Sequence, residues 1–172
     1  MKNLVLIGFM GTGKSAVGRR VARRLGCPFI DVDACIEARE GRTITELFRT
    51  RGEPHFREVE STVIAEASVQ HGAVIATGGG AVLRPQNVER LKTHGVLVCL
   101  HADPATIARR VSRRKTRPLL AGEDGLTQRI EHLLETRATA YAAAADVTIN
   151  TDGRSVDEVA ADVLRYAKRL MR

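Results

Sequence analysis

The stretch that most limits what this chain can fold into is Gly8-Phe9-Met10-Gly11-Thr12-Gly13-Lys14-Ser15, where two glycines five positions apart lead directly into Lys-Ser. The spacing is that of G-x-x-x-x-G-K-[ST], a loop whose backbone N–H groups cradle phosphates. Its glycines reach positive φ and let the main chain approach oxygens that a Cβ would hold away. Gly11, Thr12, Gly13, Lys14, Ser15 and Ala16 are therefore the expected nucleotide contacts. Lys14 would reach the β- and γ-phosphates and Ser15 would offer its hydroxyl to Mg²⁺. The helix starting here turns its positive end toward the same anion.

Such a loop works only between a strand and a helix, and both flanks comply. Leu4 to Ile7 is a continuous apolar run of the kind buried on both faces in a parallel sheet. After the loop Val17, Val21, Ala22 and Leu25 recur at helical spacing, Arg19, Arg20, Arg23 and Arg24 fall elsewhere on the wheel, and Gly26 ends the helix. Further strands are predicted at 28–33, 73–76, 96–100 and 147–149. Helices are predicted over 34–50 (broken near Gly41), after the Gly52 stretch with Val59, Val63, Ile64 and Ala67 on one face, 85–93, from Pro104, 126–141, and from Ser155, where Ser155 and Glu158 have capping-box spacing. Val156, Val159, Ala160, Val163 and Leu164 give the last helix its apolar face. Strands alternating with helices imply a three-layer αβα fold with a five-stranded parallel sheet. With 172 residues and no repeat or linker, 1–172 reads as one domain.

In an open α/β sheet the C-terminal strand edge carries the ligands; four further clusters stand out, two of them at strand ends. Asp31 and Asp33 end the second strand on the same side of an extended segment; Asp31 is assigned to the metal, directly or through water, and Asp33 to an acceptor hydroxyl, against the bland reading of solvated turn aspartates. Arg57 and Glu60 are helix neighbours, by physics alone a surface ion pair. Gly78-Gly79-Gly80 follows the third strand, either as a hinge or as backbone donors for a substrate. The basic cluster Arg109, Arg110, Arg113, Arg114, Lys115 and Arg117 runs into a Pro/Gly-punctuated loop, which reads equally as solvated charge or as a lid at about 112–125.

Composition narrows the partners. The 27 Lys+Arg against 20 Asp+Glu, net +7, suit nucleic acid or a pocket for small anions, but only 3% of residues are aromatic and there is no long basic run, so nucleic acid is not expected. Cys27, Cys35 and Cys99 are too scattered for disulfides or zinc and are read as packing residues in a reducing compartment. The five histidines have no ligand spacing. No signal peptide or membrane span is evident, so a cytoplasmic location is expected.

Taken together, the phosphate loop, Asp31-Val32-Asp33, Phe56-Arg57 with Glu60, Gly78-Gly79-Gly80, and Arg117-Pro118-Leu119-Leu120 followed by Arg137 and Tyr141 resemble the shikimate kinase family over nearly the whole length. The resemblance implies a P-loop, nucleoside-monophosphate-kinase-like fold with a substrate-binding segment at about 33–61 and a mobile lid. It implies transfer of the ATP γ-phosphoryl group to the 3-hydroxyl of shikimate, with ATP and Mg²⁺, in aromatic amino-acid biosynthesis. Residue by residue, Asp33, Arg57, Gly78, Gly79, Gly80 and Arg137 would hold shikimate, with Arg57 and Arg137 on its carboxylate. Lys14, Asp33 and Arg117 would be catalytic. Arg110 would pack on adenine, with Arg154 in the adenine loop. The expected partners are these small molecules alone, the expected state a monomer. The competing readings are a kinase for another small hydroxylated acid such as gluconate, and a non-catalytic nucleotide-binding relative.

Overall fold

The computed structural model describes residues 1–112 and 125–170. The predicted lid, with Arg113, Arg114, Lys115 and Arg117, lies outside the described residues. Five strands form one all-parallel sheet: β1 (Asn3–Ile7), β2 (Phe29–Asp31), β3 (Val74–Ala76), β4 (Gly95–His101) and β5 (Val147–Asn150), in the order β2-β3-β1-β4-β5. Leu6 pairs in register with Ala76 on one side and Val98 on the other. The helices are α1 (Lys14–Leu25), α2 (Val32–Glu40), α3 (Ile44–Ser68), α4 (Pro85–His94), α5 (Pro104–Ser112), α6 (Leu126–Ala144) and α7 (Val156–Leu170), plus a 3₁₀ turn at Ala81–Leu83 that sequence pattern did not reveal.

The period of two along β1 divides the core. Leu4 and Leu6 pack with Val17, Val21 and Ala22 of α1 and Val159, Ala160 and Val163 of α7. Val5 and Ile7 face the other way, into a larger cluster drawn from α2 to α6 that includes Ile36, Ile64, Leu91, Ile107 and Ile130. The three layers are therefore α1/α7, sheet, and α2–α6, as the alternation of elements implies.

Some local expectations change. The second strand ends at Asp31, and Val32 already begins α2, so Asp33 stands in the first helical turn and does not share a strand face with Asp31. Asp31 is the N-cap, its Oδ1 accepting from Ala34 N at 3.4 Å. The helix break at Gly41 holds, with the glycine in the left-handed region. Gly52, at φ 80°, kinks α3 just ahead of the segment carrying Arg57. Leu25 and Val156, counted with the apolar faces, are exposed, and so is Cys35, which therefore does not pack in the core. Three of the surface arginines are in ion pairs: Arg20 and Arg24 meet Asp157, and Arg39 meets Glu66. Among the described residues no helix is long and apolar enough to cross a membrane.

Candidate active site

All five strands point their C-terminal ends to one edge, and the strand order divides that edge. The phosphate loop follows central β1. The turns after β2 and β3 lie on one side of it, and those after β4 and β5 lie on the other. In the centre Gly13, at φ 95°, caps α1 without any side-chain hydrogen bond, so no capping side chain stands between the start of the helix and an anion. Thr12 Oγ1 donates to Phe9 O at 2.7 Å, and the Thr12 N–H reaches the same carbonyl at 3.4 Å, so both close the loop on itself. Lys14 is 8% exposed and folds over the loop, its Nζ donating to Gly8 O at 2.8 Å and Phe9 O at 2.9 Å. Ser15 and Ala16 follow in the first turn of α1.

On the β2/β3 side the three glycines are each pressed against a different partner. A Cβ on Gly78 would lie 2.6 Å from Glu60 Oε1 and 3.0 Å from Asp33 Oδ1. One on Gly79 would lie 3.1 Å from the Met10 backbone nitrogen, and one on Gly80 only 2.6 Å from Arg57 Cζ. The run is therefore a close-contact surface joining α2, α3 and the phosphate loop, and the hinge reading falls away.

Arg57 is held from both sides, Nη1 donating to Glu60 Oε2 at 2.7 Å and Nη2 to Glu53 Oε1 at 3.0 Å, with the Phe56 ring centroid 5.1 Å from its Cζ. Glu60 is completely buried, so the pair is not the surface contact that helix spacing alone suggests. Burial pushes the Glu60 carboxyl above the usual range despite Arg57, and the nearby charge of Asp33 adds to that push. Burial works against the Arg57 cation too, yet Glu60 and Glu53 hold its pKa above the ordinary value. Sequence spacing put Arg57 and Glu60 on one helix face; only the packing of Gly78 shows that this face is interior.

From α6, Arg137 enters the same space 6% exposed, its Cζ 5.6 Å from the Phe9 ring centroid and its Nη1 buried without a partner. An orphaned guanidinium nitrogen in a buried position is a group waiting for an acceptor. Tyr141, one turn further along α6, donates its hydroxyl to Gly79 O. Its place in the motif was visible in the sequence, but that contact was not.

On the β4/β5 side Arg110 spans from α5 to both neighbouring loops, Nη1 donating to Gly11 O at 3.2 Å and Thr151 Oγ1 at 3.0 Å, and Nη2 to Thr151 O at 3.0 Å. Arg154 is turned back on its own loop and α7, donating to Asn150 O at 3.1 Å and Asp162 Oδ2 at 2.6 Å. It braces the segment after β5. Among the described residues no cluster of three or more His, Cys, Asp or Glu side chains could hold a metal. The donors at this edge are a hydroxyl and carboxylates, which suits a hard cation completed by phosphate oxygens and water.

Comparison with known proteins bears on this geometry. The family model described as shikimate kinase matches residues 10–168. The chain is 46% identical over 165 residues to a shikimate kinase of Caldanaerobacter subterraneus subsp. tengcongensis, covering 96% of this chain and 95% of that one. It matches the structure of a shikimate kinase from Acinetobacter baumannii in complex with shikimate at a TM-score of 0.94 and 36% identity, covering 98% and 94% of the two chains. A gluconokinase from Sinorhizobium meliloti, at 20% identity and a TM-score of 0.59, is similar in fold alone. A family match across nearly the whole chain, on top of a phosphate loop flanked by a glycine run, a partly buried arginine and a buried one, places the protein in the shikimate kinase family.

Proposed function

We propose that this chain, as a shikimate kinase, moves the ATP γ-phosphoryl group to the 3-hydroxyl of shikimate using the two flanks of β1 as separate compartments. The observation that carries this reading is the β2/β3 flank, where the partly buried Arg57 and the buried Arg137 stand with Asp33 around a glycine run whose closeness to its neighbours admits no Cβ. Two fixed guanidinium groups suit a carboxylate, which they bind through paired N–H donors. Asp33, beside Gly78, orients the acceptor hydroxyl and takes its proton. The hydroxyl oxygen then forms its bond to the γ-phosphorus as the bridging β–γ bond breaks and ADP leaves. Gly78, Gly79 and Gly80 let the acceptor lie against backbone.

The nucleotide occupies the central loop and the other flank. Backbone N–H groups of Gly11 to Ala16 and the Lys14 ammonium meet the phosphates, and Arg110 with the loop around Arg154 forms the base side. Arg117, outside the described residues, is assigned to the transferring phosphoryl group from the family resemblance. Mg²⁺ fits the Ser15 hydroxyl together with Asp31 through water, and when bound it neutralises phosphate charge. The chain's own contribution is alignment and charge stabilisation. The proposed working unit is a monomer.

The test is ADP release with Mg-ATP in the presence of shikimate, gluconate or no acceptor. Stimulation by shikimate, lost in Asp33→Asn while ATP still binds, is the expected result. Stimulation by gluconate instead, or an Asp33→Asn variant as active as the parent, would overturn it.

A further inference from the structure

Tyr141 is 8% exposed and lies i+4 from Arg137 on α6, so the two side chains share a face of the helix. Its hydroxyl proton is directed at Gly79 O, which leaves the phenol oxygen as an acceptor toward Arg137. The guanidinium is close enough to act on the phenol by charge and hydrogen bonding, although burial dominates and pushes the phenol up to about 12. The proton therefore stays in place across the neutral range. Gly79 is confined on its other side, where a Cβ would lie 3.1 Å from Met10 N. A planar trans peptide couples the Gly79 carbonyl to the Gly80 N–H, so anchoring the one sets the direction of the other.

We propose that Tyr141 is a positioning residue for acceptor binding, its hydroxyl locking the Gly79–Gly80 peptide plane to Arg137 so that the backbone and guanidinium halves of the acceptor pocket keep one spacing. This rests on the shikimate kinase reading above. Tyr141 is assigned no contact with nucleotide or reacting atoms. It acts through a glycine on the β3 edge and an arginine on α6, two elements otherwise joined by packing through the 3₁₀ turn.

Tyr141→Phe keeps the ring and deletes the tie. The expected result is a rise of about tenfold in KM for shikimate, the scale of one lost buried hydrogen bond, with kcat and KM for ATP within about twofold of the parent. An unchanged KM for shikimate, or equal changes for both substrates, overturns the proposal. If the parent itself shows no shikimate-dependent turnover, the kinase reading fails and this inference with it, which is a different outcome from an active parent and an unaltered variant.

Should Tyr141→Phe not fold, a second measurement decides. Fluorinated tyrosine, with its more acidic phenol, is incorporated into a Tyr166→Phe background, where it enters position 141 alone because the chain has two tyrosines. KM for shikimate should then rise at alkaline pH while the non-fluorinated control stays flat, and parallel profiles overturn the proposal.

Discussion

Gly80 has an ordinary backbone conformation, φ −98° and ψ 0°, so its requirement for glycine is purely one of space. A methyl group there meets the Arg57 guanidinium, which Glu53 and Glu60 already hold on two sides and which cannot yield without breaking a buried pair. Gly80→Ala is therefore expected to raise KM for shikimate at least about tenfold while leaving ATP affinity unchanged, measured by steady-state kinetics and nucleotide titration. Lys14 and Arg137 differ in how they stand before substrates arrive. The first rests on carbonyls of its own loop, and the second has a buried nitrogen with no partner at all. At that nitrogen the arginine is thus a group whose desolvation cost an incoming anion would relieve.

The element that carries Arg57 owes its placement to its ends. Thr43 and Glu46 form a reciprocal capping box at the start of α3, Thr43 Oγ1 accepting from Glu46 N and Glu46 Oε2 accepting from Thr43 N at 2.9 Å. Gly52 then redirects the helix so that Phe56, Glu60 and Ile64 face inward. Thr43→Ala is expected to cost about 1 kcal/mol of stability, read as a shift in the urea midpoint at constant slope. At the other end of the sheet, α7 begins with the same device, and the Ser155–Glu158 box is present as its spacing foretold. Arg154 ties that start to Asp162, so the base-side loop is held by helix capping and an ion pair together.

For the molecule as a whole, several carboxylates couple the fold to pH. The Ser155 hydroxyl and N–H hold Glu158 below its usual range, Arg154 does the same for Asp162, and the Thr43 N–H and hydroxyl for Glu46. Groups lowered in this way contribute fully above their unfolded pKa of about 4, and the contribution is lost as pH falls through the folded value. Glu60 runs the other way: its raised carboxyl makes stability fall as pH climbs from the unfolded toward the folded pKa. Tm is expected to drop as pH is lowered from 5 toward 3, and Glu158→Gln should flatten that slope. A slope unaffected by Glu158→Gln would show that its cap contributes nothing to acid sensitivity.

The local signals in this chain were sufficient for the phosphate loop, the five strands and the three layers, because each rests on interactions within a few residues: glycine conformations at Gly13, the apolar period along β1, the cap of α7. The strand order could not be read that way, since β3 inserts between β2 and β1 through pairing of residues 45 positions apart with β2 and 70 apart with β1. That order decides which loops flank the phosphate site. It buries Glu60 against Gly78, sets Asp33 on a helix beside the glycine run, and brings Tyr141 to Gly79. Spacing along the chain determined which chemistry was available, and long-range packing decided which of those groups are desolvated, paired or left open for an acceptor, because burial and contact depend on neighbours that are remote in sequence.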